Sequence, residues 1–332
     1  DNGLHDQAAA TFYELASGFR ANYDFAMCLR YVTDGLEYCE RRDLDNWRLG
    51  LWSLRIRSRF DQGDWAEAEQ LLRSAPRVAG EVWLDSRLEL SQISLEVRRG
   101  VQIASDRLNS IRERAYAWGF LEIGFPIAAF LGEMAWLQGD IERCRLEVER
   151  HYQLACKLAI PRFRDGLGYW MWRAGALNMP AAATGPFAIQ MNGDWHGAAK
   201  LWAEYGCPYE QGMALMDGDE ASQLEALRIF EHLGARPIAE KLRQQMRLQG
   251  VRGIPRGPRP ATRSNACGLT PRELEVLSAM AGGASNNAIA ERLSLSHRTI
   301  EHHITSILQK TGTQSRSEVI ALALREHLVA GN

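Results

Sequence analysis

The chain has 332 residues, 46% apolar and 24% charged, with a net charge near −2. These are ordinary values for a globular protein with room for two or three domains. No apolar run approaches the roughly 18 residues needed to cross a bilayer, and the N-terminus, DNGLHDQAAATFYEL, has no basic segment leading into an apolar one. A membrane protein and a signal-bearing precursor are therefore not expected. The chain opens at Asp1 without a methionine, as expected of a piece or processed product of a longer chain. Cys28, Cys39, Cys144, Cys156, Cys207 and Cys267 are scattered with no CxxC pair, the pattern of reduced, mostly buried thiols in a cytoplasmic protein. From Arg252 onward, ten basic residues face six acidic ones, whereas 29 basic face 35 acidic before it. A basic tail on an acidic body predicts a polyanion partner for the tail alone.

Residues 1 to about 250 carry helical periodicity with few prolines, which predicts an all-α fold. A turn recurs: QGDWAEAEQLL from Gln62, QGDIERCRLEV from Gln138 and NGDWHGAAKLW from Asn192, with weaker copies at Asn22 and Arg99. Aligned on Tyr23, Gly63, Gly100, Gly139 and Gly193, the first three spacings fall near 40 residues, the period of helix-pair solenoids. In each unit a left-handed glycine ends one helix and an aspartate caps the next. Asp64 with Glu67 has the spacing of a reciprocal capping box. Trp65 and Trp195 are expected in the fork between helices, with Ala68 and Ala198 permitting close approach. The alternative is a non-repeating bundle with chance Gly-Asp turns. The units resemble tetratricopeptide repeats, in the turn and second helix more than in the first. Between Gly139 and Gly193 an extra segment, Pro161 to Leu177, breaks the period; its GYWMWRAG stretch is read as packing core rather than a small-molecule pocket. Helices ending at Gly234 and Gly250 complete this region. DGDEA, from Asp217, lacks the ligand series of a calcium loop. Cys207, beside Pro208, has no paired histidine and is read as structural.

Composition then shifts. Residues 251–268, VRGIPRGPRPATRSNACG, hold three prolines and four arginines and predict an extended tether. Domains are thus expected at 1–250, a helical-repeat sensor or oligomerisation platform, and at 269–332, a compact head. In the head, Thr270, Pro271 and Glu273 form a helix start with a capping box. Leu274, Leu277 and Met280 line one face, and Gly282-Gly283 stops the helix. Ser285 caps a second helix with Ile289, Ala290 and Leu293 inward. SLS makes a turn, and Ser296 caps a third. There Ile300, Ile304, Ile307 and Leu308 form an inward stripe. At about 100° per residue, Arg298, His302, Thr305 and Gln309 point outward, flanked by Glu301 and Ser306. His302 and His303 diverge too far to share an ion, so no metal site is expected. A fourth helix opens at Ser315, and part of its apolar stripe is free to meet a second copy.

Two short helices joined so tightly, the second polar outside, suit the major groove of double-stranded DNA. The residues LTPRELEVL, NNAIAERLSLSHRTIEHHITSILQKTG and SRSEVIALA resemble the LuxR/FixJ-type helix-turn-helix domain over Leu269 to Leu328. Upstream, the GDW turns, YGCPYE, DGDEA and RGIPRGPRPATR resemble the C-terminal half of the large ATP-binding LuxR-family regulators. Those combine a P-loop ATPase, a helical sensor and this domain. No GxxxxGK[ST] occurs here, and none of Lys157, Lys200, Lys241 and Lys310 lies in a phosphate-cradling loop. No cofactor is expected in this chain; ATP would belong to an upstream ATPase, cut away or never present. The resemblance implies base-edge contacts from Glu301, His302 and Thr305. It implies backbone contacts from Arg298, Thr299, Lys310 and Arg316, with Asn286 as a further phosphate contact. Relatives often carry lysines on this face, whereas here it has Glu301 and Thr305. The function these features imply is a bacterial transcription regulator, not an enzyme. It would bind DNA as a homodimer through residues 297–310, with an effector or partner acting on the repeats. The alternative is a helical-repeat scaffold that binds only protein.

Overall fold

The structure is a computed structural model that describes residues 2–76, 82–117, 121–177, 185–255, 267, 269–325 and 328–329. Backbone packing divides the chain into two units, Asp1–Ile254 and Pro255–Asn332. All regular structure among the described residues is helical, and no helix there is long and apolar enough to cross a membrane. Most of the expected tether, from 256 to 266 and at 268, lies outside the described residues.

The first unit contains α1 (Asn2–Ala21), α2 (Phe25–Glu40), α3 (Asp45–Asp61), α4 (Trp65–Ser74), α5 (Val82–Arg98), α6 (Ser105–Ala117) and α7 (Leu121–Leu137). After these come α8 (Ile141–Lys157), α9 (Pro161–Arg173), α10 (Gly185–Met191), α11 (Trp195–Glu204), α12 (Pro208–Leu215), α13 (Glu220–Leu233) and α14 (Arg236–Leu248). Each helix packs on the next in the chain, and α1, α3, α5, α7 and α9 also pack in succession on one another. This alternation is consistent with stacked helix pairs, in which one helix of each pair lines the inner face. The extra segment between Gly139 and Gly193 contains α9, so three helices rather than two separate those turns.

The five aligned turn positions share one backbone state. Tyr23 has φ 61°, Gly63 81°, Gly100 81°, Gly139 82° and Gly193 90°. A left-handed residue reverses the chain within one step, which is why glycine recurs there. Asp24, Asp140, Asp194 and Asp219 then accept backbone N–H groups of the helices that follow them. The unit at Asp64 departs from the expected capping box. Asp64 occupies the N-cap position, but its side chain makes no cap bond. Arg59 draws both carboxylates away, at 3.4 Å from Asp64 and 3.0 Å from Glu67. The guanidinium is a donor that competes with the backbone amides for these carboxylates.

Several turns are also seated against helices far along the chain. The Tyr23 ring stacks on Tyr205 at 4.9 Å and meets Trp202 edge-on at 5.1 Å. A Cβ on Gly63 would lie 2.6 Å from Pro208 and 2.8 Å from Leu233, so both φ and space demand glycine there. Gly100 faces Pro237, and Lys241 donates to the Trp136 carbonyl at 3.0 Å. Trp65 is buried in its fork, stacked on Phe60, with Ala68 beneath, whereas Trp195 is only half-buried and lies over Gly218. Tyr169, Trp170 and Met171 of the aromatic stretch are buried in the core. Cys28, Cys39, Cys144 and Cys207 are buried as well, and burial pushes the Cys207 thiol up.

The second unit contains α15 (Pro271–Ala281), α16 (Asn286–Leu293), α17 (His297–Thr311) and α18 (Arg316–Arg325). Its core draws on every helix: Val276, Leu277 and Met280, Ile289, Ile300 and Ile307, Val319 and Ala323 are all buried. Leu274 and Leu293, expected inward, are half-buried at its margin, and Val276 takes the central place on α15.

Candidate nucleic-acid interface

The site is the outer face of α17. The turn before it is short because Ser294 takes the left-handed conformation (φ 52°, ψ 46°) that ends α16. The N–H of Leu295 closes that turn on the Ala290 carbonyl at 2.9 Å. Ser296 then caps α17, accepting the Thr299 N–H at 3.1 Å. At the far end, Gly312 (φ 66°) terminates the helix. Both ends of α17 are thereby fixed by local chemistry, and its inward residues Ile300 and Ile307 are fully buried.

A buried carboxylate bolts this helix to α15. Glu273 closes the expected capping box: Thr270 N–H donates to its Oε2 at 2.7 Å, and its own N–H donates to Thr270 Oγ1 at 3.1 Å. The same carboxylate accepts from Ser306 Oγ at 2.6 Å and from Lys310 Nζ at 2.9 and 2.6 Å. Burial alone would raise the Glu273 carboxyl. The bonds from Lys310, Ser306 and Thr270 more than offset it and hold the group at about 2. One residue thus starts α15 and fixes the C-terminal half of α17. Ser306, read from the sequence as flanking the outer face, is turned inward by this bond.

Arg272 adds a second cross-link. It pairs with Glu275 at 2.6 Å and donates to the Leu293 carbonyl, capping the end of α16. Its signal was a polar residue one step from the capping box, and nothing in local spacing marks its partner 21 residues away.

The sequence-predicted residues divide into two groups. Arg298, Glu301, His302 and Thr305 are exposed along α17. Arg298 and His302 make no hydrogen bond or ion pair among the described residues. Glu301 lies 3.6 Å from His297 Nδ1. Thr305 donates its hydroxyl to the Glu301 carbonyl at 2.9 Å, which leaves an acceptor lone pair and a methyl group facing out. Such a face can accept from cytosine N4 through Glu301 and touch a thymine methyl through Thr305. The second group is engaged within the unit. Thr299 shares its hydroxyl with Ser296 at 2.7 Å, and Lys310 sits on Glu273. Arg316 bonds Asn286 Oδ1 at 3.1 Å and the Ala284 carbonyl at 2.6 Å, bringing the starts of α16 and α18 together. His303 is half-buried beside the core, and among the described residues no group of three His, Cys, Asp or Glu side chains could hold a metal ion.

Residues 268–323 match the family model described as bacterial regulatory proteins, luxR family. Among curated proteins, the chain is 33% identical over 115 residues to the nitrate/nitrite response regulator protein NarP of Escherichia coli, covering 35% of this chain and 50% of that protein. It is 45% identical over 61 residues to the uncharacterized transcriptional regulatory protein YxjL of Bacillus subtilis, covering 18% and 28%. It is 34% identical over 92 residues to the transcriptional regulatory protein LiaR of the same organism, covering 28% and 39%. The chain therefore spans half or less of the length of these relatives. No solved structure matches it. The four helix caps and the fixed turn fall within the matched segment, and over residues 268–323 the C-terminal unit is similar to the LuxR-family helix-turn-helix domain.

Proposed function

We propose that this chain is a cytoplasmic, DNA-binding transcription regulator in which residues 297–310 enter the major groove of double-stranded DNA. The observation that carries this reading is the division of α17. Its apolar side is locked by Ile300, Ile307 and the Glu273 cross-link, while Arg298, His302 and Thr305 stand exposed on the opposite side with Glu301 exposed at its flank. In this reading Glu301, His302 and Thr305 meet base edges. Arg298, Thr299 and Arg316 hold the backbone together with Asn286, and Lys310 reaches a phosphate from its seat on Glu273. The domain extends over 269–332, and residues 251–268 tether it to a repeat unit at 1–250. Two copies bind together, because one small head makes few contacts and tethering raises the effective concentration of the second. The repeat unit senses an effector or partner and governs how the heads are presented.

The test is a gel shift on DNA selected by the protein, against random duplex, across a salt series. His302→Ala with Thr305→Ala is expected to cost roughly 1–3 kcal/mol per lost base contact on the selected site and to leave random-sequence binding unchanged. Equal losses on both DNAs would remove these residues from base reading. No salt-sensitive shift with any duplex would favour the protein-only scaffold.

A further inference from the structure

The inner face of the first unit contains a cavity of about 200 Å³ with an unusual wall. Its lining comes from α1, α3, α5, α7 and α9, the five helices that pack in succession on one another. Arg20, Arg57, Arg87 and Arg162 contribute four guanidinium groups, one from each of α1, α3, α5 and α9. No Asp or Glu side chain lines it among the described residues. Asp61, behind the wall, bonds Arg20 at 2.8 Å and Arg57 at 3.0 Å, so one carboxylate serves two guanidiniums. The floor is apolar: Leu54 and Leu90 are buried there, with Pro126 and the Phe163 ring beside them. The volume exceeds the roughly 150 Å³ of an apolar cavity that accepts one benzene ring. Arg57 and Pro126 also line a second cavity of about 160 Å³, walled by Tyr169, Trp170 and Trp202.

We propose that this cavity binds a small organic oxyanion, a carboxylate or phosphate ester on a compact apolar body. The charged group pairs with the arginine cluster, whose planar forks match both oxyanions. The apolar body lies on Leu54, Leu90 and Phe163. Such a ligand bridges four or five successive inner helices at once, so its binding free energy acts on the spacing of the whole stack rather than on a single loop. This rests on the sensing role proposed for the repeat unit, and gives that role a ligand class and a place.

The full chain is titrated by calorimetry with benzoate, phenyl phosphate, inorganic phosphate and benzyl alcohol. At least one of the two aryl oxyanions is expected to bind saturably, at least about tenfold tighter than benzyl alcohol or inorganic phosphate. A preference between them distinguishes a carboxylate from a phosphate-ester source. Ser17→Glu places a carboxylate in the cavity wall without removing any of the described ion pairs, and is expected to abolish the binding. Arg162→Ala, at an exposed position, is expected to weaken it about tenfold, the effect of one charge-assisted bond. Saturable binding of neither oxyanion up to about 10 mM, equal binding of benzyl alcohol, or unchanged affinity in folded Ser17→Glu or Arg162→Ala protein would overturn the proposal. DNA affinity is measured in parallel with and without the bound oxyanion. Binding that leaves DNA affinity unchanged defeats the sensing role but keeps the site; absent binding defeats the site and leaves that role open to another effector.

Discussion

Glu273 in the C-terminal unit is buried and Glu210 in the repeat unit is largely so, yet their surroundings drive them in opposite directions. Glu273 is met by Thr270, Ser306 and Lys310, with donors on both oxygens, and is held at about 2. For Glu210, burial pushes the carboxyl up to about 7, against the pull of Arg98. The reason is partner allocation. Arg98 gives its shorter bonds to Glu133, at 2.8 and 3.1 Å, and only a 3.4 Å contact to Glu210, whose Oε2 has no hydrogen-bond partner among the described residues. Arg98 itself is packed between the rings of Tyr209 and Phe60. Burial sets the size of an electrostatic effect, and the number of donors sets its sign. One unit thus holds a saturated cross-link that fixes a helix. The other holds, on α12, a carboxyl short of donors.

Glu273→Ala should produce the largest effect. It removes a capping box and the charge-assisted bonds to α17, together about 3–4 kcal/mol. Hydrogen exchange over residues 271–311 in the full chain should rise by orders of magnitude, and unchanged protection would break the comparison. Acid should act next. The Glu273 carboxyl lies below its ordinary value of 4.5. Its contribution is therefore complete above that pH and is lost as pH falls from 4.5 toward 2. At 1.36 kcal/mol per pH unit the loss approaches roughly 3 kcal/mol, and Glu273→Gln should flatten that stretch of the exchange profile. Lys310→Gln should cost about 1–2 kcal/mol, less than a fully buried pair because the lysine is partly exposed. It should also make the salt dependence of DNA binding shallower if Lys310 reaches a phosphate. Glu210→Gln should have the smallest effect and the opposite sign. A carboxyl raised in the folded state stabilises it below about 4.5 and progressively loses that advantage as pH rises to 7. The amide should therefore stabilise the repeat unit above pH 7 by about 1 kcal/mol. All ten tryptophans precede residue 203, so fluorescence-monitored urea unfolding reads this unit alone.

Features governed by neighbouring residues were legible in the sequence. The positive φ at Tyr23 and the four aligned glycines followed from the repeat of the turn, and the caps at Thr270, Ser285 and Ser296 from residue type and spacing. The outward placement of Arg298, His302 and Thr305 followed from helical phase. What escaped depends on partners brought together by folding. Glu273 was visible as a cap, but its bonds to Ser306 and Lys310 span 33 and 37 residues. Asp64 and Glu67 have the spacing of a capping box, but the competing guanidinium of Arg59 lies outside the motif. The arginine-lined cavity draws on five helices, and no local period brings Arg20 to Arg162.

The seating of early turns on late helices changes how this repeat unit must come together. An open array can grow and fray one module at a time, since each module touches only its neighbours. Here Tyr23 waits for Trp202 and Tyr205, Gly63 for Pro208 and Leu233, and Gly100 for Pro237. The nascent N-terminal half cannot bury these surfaces until nearly the whole unit has been synthesised. Assembly is therefore governed by contacts of long sequence separation, which slow it, and melting should proceed as one concerted transition rather than as peeling from an end.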